Sequence, residues 1–305
     1  MKKLMILMPL FAGALWGSVA IFVRRLTAFG MDNWTILFTR VAVASILLGI
    51  FLLFKDRELL KIRIRDIWLF AGSGIVAMLG LNYCYTEAIN TLSVSFAAVL
   101  LSMSPVFVMI FAAILFHEKI TPLKIICTFF AMAGCFLISG ILENGSVNVS
   151  AYGIFIGIMA AVFYALYSIF SKISMQRGYS VFTITFYSML LMAIALLPLT
   201  DWSMTGSFIA GSPVKNIIFM ILHSLCTNVL PYVCFTWSLN YVDAGKAAIL
   251  AAGGEPTAAM IFGILFFNEF PSIIGITGLI ITVAAISVLC KPTKTEPEVS
   301  NEIQL

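Results

Sequence analysis

Charge is what this sequence has least of. Only 10% of its 305 residues are Asp, Glu, Lys or Arg, where an ordinary globular chain carries about 25%. With 61% hydrophobic residues, the chain lacks the polar surface to enclose so much apolar area in water, so its solvent is lipid. The net charge is only +4, and no basic stretch is interleaved with aromatics. This excludes a nucleic-acid surface.

Catalytic chemistry is scarce too. There are two histidines, His117 and His223, distant in sequence and without an acidic neighbour they share. The aspartates at 32, 56, 66, 201 and 243 sit at the ends of apolar runs. Neither a carboxylate pair nor a histidine cluster is available for membrane-embedded catalysis. No GxxxxGK[ST] loop is present, so ATP hydrolysis by this chain is not expected. The six cysteines form no CxxC pair and read as small buried side chains rather than metal ligands or disulfides. Neither an enzyme nor any cofactor or metal is expected.

Long apolar runs are present in abundance. Spanning a bilayer takes about 20 apolar residues. Ten segments qualify, at 4–23, 33–54, 66–87, 94–116, 122–141, 151–171, 180–199, 214–238, 244–267 and 272–290. Short connections join them, the longest polar ones being 55–65, 143–150 and 200–212. The N-terminus resembles a secretory signal, with two lysines, an apolar run and Ser18-Val19-Ala20. The apolar run continues through Val23, so a retained first helix is expected. The charged tail 291–305 contains two prolines and is expected to be disordered.

The chain repeats itself. Pro105, Met109, Ile110-Phe111 and Glu118 fall in register with Pro256, Met260, Ile261-Phe262 and Glu269. Ile21-Phe22 matches Ile169-Phe170, Thr35-Ile36 matches Thr183-Ile184, and Cys84-Tyr85-Thr86 matches Cys234-Phe235-Thr236. The expected architecture is an all-α membrane protein of ten transmembrane helices, built as two inverted five-helix repeats over 1–145 and 146–290. Five is odd, so the second copy enters the membrane from the opposite side. Basic residues at 55–65, Lys119, Lys124, Lys172 and Arg177 share one side, against Arg24, Arg25 and Lys215 on the other. That bias puts both termini in the cytoplasm of a cell with this protein in its inner or plasma membrane.

The polar residues inside the spans are the candidates for function. Gly253-Gly254-Glu255-Pro256 is poor helix chemistry in mid-span, because Pro256 strips the Ala252 carbonyl of its partner and the glycines loosen the chain. A helix break is expected there and at Pro105. Glu255 reads as a cavity group for an amine or a proton, or as a partner for freed backbone. Its repeat counterpart is Ser104, so the fold does not demand the charge twice. Arg40, whose counterpart is Ser188, reads as a contact for a substrate carboxylate or as a group reaching the outer interface. Asn82 and Tyr83, with Tyr232 and Asn228 in the matching helix, read as cavity lining or as inter-helix glue. Trp16, matched by Tyr164, lies too deep for a belt aromatic and reads as core packing or as a cavity wall, whereas Trp34, Trp68 and Trp202 read as interface anchors. Ser93 and Asp243 are expected as N-caps. Glu118 and Glu269 are expected to fix the start of the next helix. Gly13-x-x-x-Gly17 permits the close approach of a neighbouring helix, expected to be internal.

The duplicated Pro…Glu helices, each followed by a glycine-bearing helix (Gly134 and Gly140; Gly275 and Gly278), together with Trp16-Gly17, Arg40, Ala88 and Glu255-Pro256, resemble the EamA-type transporters of the drug/metabolite transporter superfamily. The resemblance spans about residues 5–290. It implies ten helices, cytoplasmic termini, a central cavity walled by the first four helices of each half, and movement of small metabolites, often outward. The expected function is a secondary transporter, exporting an amino acid or similar zwitterion. Alternatives are a multidrug or sugar/nucleotide-derivative transporter of the same fold, a channel, a membrane-embedded enzyme or a structural subunit. The expected partners are a small-molecule substrate and the lipid bilayer, in a monomer or homodimer.

Overall fold

The computed structural model describes residues 2–92, 94–139, 141–142, 150–268 and 271–289, with backbone alone for 2–5, 94–96 and 267. Expectations for Ser93, Gly140, Glu143, Glu269, Cys290 and the tail fall outside these residues. Every regular element among them is helical. Eight helices are long and apolar enough to span: α1 (Ile6–Phe29), α2 (Asn33–Lys55), α3 (Ile64–Thr91), α4 (Ala97–Phe116), α6 (Ala151–Gln176), α7 (Val181–Leu199), α8 (Pro213–Ser238) and α9 (Ala244–Phe266). Two shorter apolar helices complete the set, α5 (Pro122–Ile138) and α10 (Ile273–Leu289). Their outward faces carry large apolar side chains, with Phe54 88% and Ile273 84% exposed. Such a surface is stable only against lipid.

Helix starts follow from side-chain oxygens that accept otherwise orphaned amides. Asp32 accepts from Trp34 N at 3.0 Å and Thr35 N at 3.3 Å. Thr121, Ser150 and Ser180 do the same for α5, α6 and α7. The repeat is visible at helix ends: α4 stops at His117 (φ 55°) and α9 at Asn268 (φ 54°), both left-handed. The 200–212 connection, expected as a polar loop, contains a helix, Trp202–Gly211. Its Phe208 is buried in a small cluster with Leu26, Met31, Ile36 and Met220.

Contacts between the halves obey a two-fold pattern. α2 packs on α7, α4 on α9 and α5 on α10, while α1 packs on α8 and α9 as α6 packs on α3 and α4. Each contact is therefore its own repeat equivalent or has one. Glycines set the closest approaches. A Cβ on Gly13 would overlap the Ala251 carbonyl oxygen, and one on Gly17 would stand 2.5 Å from the Glu255 carbonyl oxygen.

This packing corrects the expectation of a broken ninth helix. The helix Ala244–Phe267 runs without interruption through Pro256. Proline removes one hydrogen bond, and the Ala252 carbonyl so freed accepts from the Cys135 thiol of α5 at 3.9 Å. Gly253 and Gly254 serve proximity rather than flexibility: a Cβ on Gly253 would overlap Ile286 of α10, and one on Gly254 would lie 2.8 Å from the Leu10 carbonyl. The chain does turn in the first half, at Ser102–Met103, and Pro105 occupies the first turn of the helix that follows.

Ion pairs gather where the basic connections meet. Lys172 pairs with Glu118, whose Oε1 also accepts from the Ala244 amide at 3.0 Å. Glu118 thus caps α9 of the other half, not the next helix, which has Thr121. Asp243 makes no side-chain cap; it pairs instead with Lys124 at 2.8 Å. Asp66 pairs with Arg177 and accepts from Tyr179 Oη at 2.7 Å.

Candidate functional site

The core of the bundle holds an aromatic cluster drawn from both halves. Trp16 of α1 meets Tyr232 of α8 edge-on at 5.1 Å and Tyr164 of α6 at 6.0 Å. Tyr167 meets Tyr232 edge-on at 5.0 Å and shares a 2.9 Å hydrogen bond with Thr236. These rings are amphipathic: each brings apolar surface and a polar edge. Tyr164 Oη is buried without a partner.

Glu255 lies within electrostatic reach of Tyr85, Cys135, Tyr164 and Tyr232. Its backbone carbonyl faces Gly17, so the close α1–α9 contact fixes the backbone at this residue. Arg40 is also within electrostatic reach of Tyr232. Its Nη2 donates to Asn82 Oδ1 at 3.1 Å, and Asn82 Nδ2 donates to the Met78 carbonyl at 2.7 Å. The Nε edge of Arg40 is buried and has no partner. Tyr232 lies within electrostatic reach of both charges, yet no ion pair joins Arg40 to Glu255. Arg40 is tied to α3 by Asn82.

The structure brings Trp16, Tyr232, Glu255, Arg40 and Asn82 into one region and leaves Tyr83 outside it. Tyr83 is 48% exposed and stacks on Trp34 at 6.0 Å. Asn228 is buried, with its Nδ2 unpartnered. Pro105, Gly253, Gly254 and Pro256 shape the helices as described above. The sequence reading missed His223, buried in α8 with Nε2 unpartnered. It also missed the wide helical turns. α3 over Gly72–Leu79 and α8 over Leu225–Val229 are π-helical, at matching positions of the repeat. Such turns recur at functional sites because the widened ladder re-aims side chains. A surface cleft of about 440 Å³ lies elsewhere, lined by Arg25, Phe29, Phe208, Lys215 and Asn216 among others. It shares no residue with the core cluster. Among the described residues no group of His, Cys, Asp and Glu could hold a metal ion.

Comparison with known proteins adds the following. The model of the "EamA-like transporter family" matches residues 3–140 and again 151–290. An Archaeoglobus fulgidus protein described as an uncharacterized transporter is 28% identical over 265 residues, covering 85% of this chain and 86% of its own. The human solute carrier family 35 member G1 is 30% identical over 227 residues, covering 70% of this chain and 58% of its own. The pseudopaline exporter CntI of Pseudomonas aeruginosa is 25% identical over 259 residues, covering 85% and 86%. A solved crystal structure superposes with a TM-score of 0.70 at 15% identity, covering 93% of this chain and 95% of that one. That likeness speaks for the fold alone.

Proposed function

The chain belongs to the EamA-like transporter family, and from that premise we propose that it is a secondary transporter of a small zwitterion, an amino acid or close analogue. Its two halves, 1–145 and 146–290, are oppositely inserted and rock about the aromatic core, so that the site faces each side of the membrane in turn. One observation carries this reading. A guanidinium and a carboxylate occupy the same apolar core without pairing with each other. Isolated charges are costly in such a place, and pairing would have been the simplest remedy. A solute bearing both charges supplies the missing partners: its carboxylate goes to Arg40 and its amine to Glu255, over the faces of Trp16 and Tyr232. Asn82 and Asn228 line the Arg40 side.

The basic side of the bundle is taken as cytoplasmic, in the inner or plasma membrane. The Glu118–Lys172 and Lys124–Asp243 pairs tie the halves together there, and they part when the site opens inward. The turn before Pro105 is the flexible point, and Tyr83, stacked on Trp34, is left out of the site. Export is the proposed direction, supported by a relative named as an exporter. Gly13 and Gly17 are spent on α9 within the chain, which supports a monomer over a glycine-mediated homodimer. A sugar- or nucleotide-derivative substrate would leave Glu255 without a cation, and a channel would carry rings of repeated polar groups.

The test is flux in proteoliposomes. Radiolabelled amino acids should show saturable uptake accelerated by unlabelled solute on the far side, and Glu255→Gln should abolish it at unchanged folded yield. Undiminished flux through Glu255→Gln would remove the amine site, and linear flux without trans-stimulation would point to a channel.

A further inference from the structure

The buried polar atoms without a partner among the described residues fall into two groups, one of which, Tyr164 Oη, Ser168 Oγ and Ser171 Oγ, lies along α6. The other three, Arg40 Nε, His223 Nε2 and Asn228 Nδ2, belong to the seam where α2 meets α8. Ser224 Oγ donates to the Arg40 carbonyl at 2.8 Å, which fixes the two helices at that level. His223 is the neighbouring residue and lies within electrostatic reach of the Arg40 guanidinium. Its ring lies flat on Phe22 at 5.1 Å, so only its edges are free to bond. Asn228 follows Ser224 by one turn on the face that continues to Tyr232, and Tyr232 is itself within reach of Arg40.

The same seam exists a second time, where α7 meets α3. There Ser188 replaces Arg40, Ser73 replaces His223, Gly74 replaces Ser224 and Met78 replaces Asn228. Ser73 and Ser188 hydrogen-bond each other, Ser188 also donates to the Ile184 carbonyl, and Met78 asks for no partner. One copy is therefore closed and satisfied. The other presents three buried groups able to donate, with nothing to accept. A buried donor left unsatisfied is destabilising, and the fold shows that it can build this seam without any.

We propose that His223, the Nε edge of Arg40 and the Asn228 amide form an anion subsite on the α2–α8 seam, which takes the carboxylate of the transported solute. This rests on the transporter reading above and adds His223 as a specificity-determining residue. A carboxylate accepts several hydrogen bonds at once, so three donors around one group suit it. The neutral imidazole supplies its Nε2–H, the guanidinium its charge and the amide a third bond. The aromatic core and Glu255 then receive the remainder of the solute.

The experiment uses the full chain in nanodiscs. Thermal stability and Trp fluorescence are titrated with the twenty L-amino acids, their methyl esters, the corresponding decarboxylated amines, and acetate. At least one amino acid should bind, while its ester and amine bind at least tenfold more weakly. His223→Ala and Asn228→Ala should each weaken that amino acid about tenfold, as expected for a lost hydrogen bond to a charged group. His223→Gln, which keeps a donor, should recover most of the affinity. Ser73→Ala, at the repeat-equivalent position, should leave it unchanged. Equal binding of ester and acid, full affinity in His223→Ala, or no response to any carboxylate overturns the subsite. Flux separates the two readings. Trans-stimulated transport of a carboxylate-free solute would keep the transporter and discard the subsite. Carboxylate binding with no flux of any bound solute would do the reverse.

Discussion

The α2–α8 and α7–α3 seams are one contact built twice, and at its point of closest approach they differ by a single side chain, Ser224 against Gly74. At the α7–α3 seam a Cβ on Gly74 would overlap the Ser188 carbonyl oxygen. At the α2–α8 seam Ser224 occupies the equivalent place and reaches the Arg40 carbonyl through its hydroxyl. A glycine lets the backbones touch; a serine holds them one hydroxyl apart and leaves room for polar groups. The difference teaches that duplication frees half of a structure. The closed seam keeps the bundle together, and the wider one can carry chemistry that costs stability.

The largest expected effect comes from removing the charge. Arg40→Gln should lower transport by at least 100-fold, because a solute carboxylate would lose its charged partner and Asn82 Oδ1 its donor. Ser188→Ala, the same position in the other copy, should stay within twofold. Flux measured side by side decides it, and equal losses in the two variants would dissolve the distinction between the seams. Next in size is an attempt to make the seams alike. Gly74→Ser places an atom where the Ser188 carbonyl already is, and overpacking of this kind costs about 1–3 kcal/mol. Thermal denaturation in detergent should show a clear fall in Tm. The converse change, Ser224→Gly, removes one hydrogen bond and should cost about 1 kcal/mol. It should nonetheless impair transport, since α2 and α8 could then approach and shift the Arg40, His223 and Asn228 donors relative to one another.

The same two seams show how far the sequence was readable. The repeat was legible because lipid restricts a chain to helices, and short connections between them keep matching residues at nearly the same spacing. Arg40 and Glu255 stood out as charges in apolar segments whose partners in the other copy were serines. His223 did not, since a single histidine in an apolar run resembles any buried one. The signal was available in the repeat: His223 and Asn228 correspond to Ser73 and Met78, so the mismatch at Arg40 continues along a second helix. Gly253 and Gly254 were read as loosening the chain because glycine does two things, and only the opposing surface decides which. Here the opposing surfaces are Leu10 and Ile286 at close range, and closeness is the use. Pro256 was read as a break because its missing bond is visible in sequence, while the Cys135 thiol that answers the Ala252 carbonyl is on another helix.

The smallest effect tests the claim from the closed side. Ser73→Ala deletes the hydrogen bond to Ser188, but Ser188 still donates to the Ile184 carbonyl. Its hydroxyl is therefore not stranded, and the loss should be about 0.5–1.5 kcal/mol, a shift of a few degrees in Tm at most. Transport should be unchanged, because the seam stays shut by virtue of Gly74 and needs the serine pair only to satisfy itself. Were Ser73→Ala to abolish flux with little change in Tm, the α7–α3 seam would have to open during transport as well. The asymmetry between the copies would then lie in which opens first rather than in which one binds.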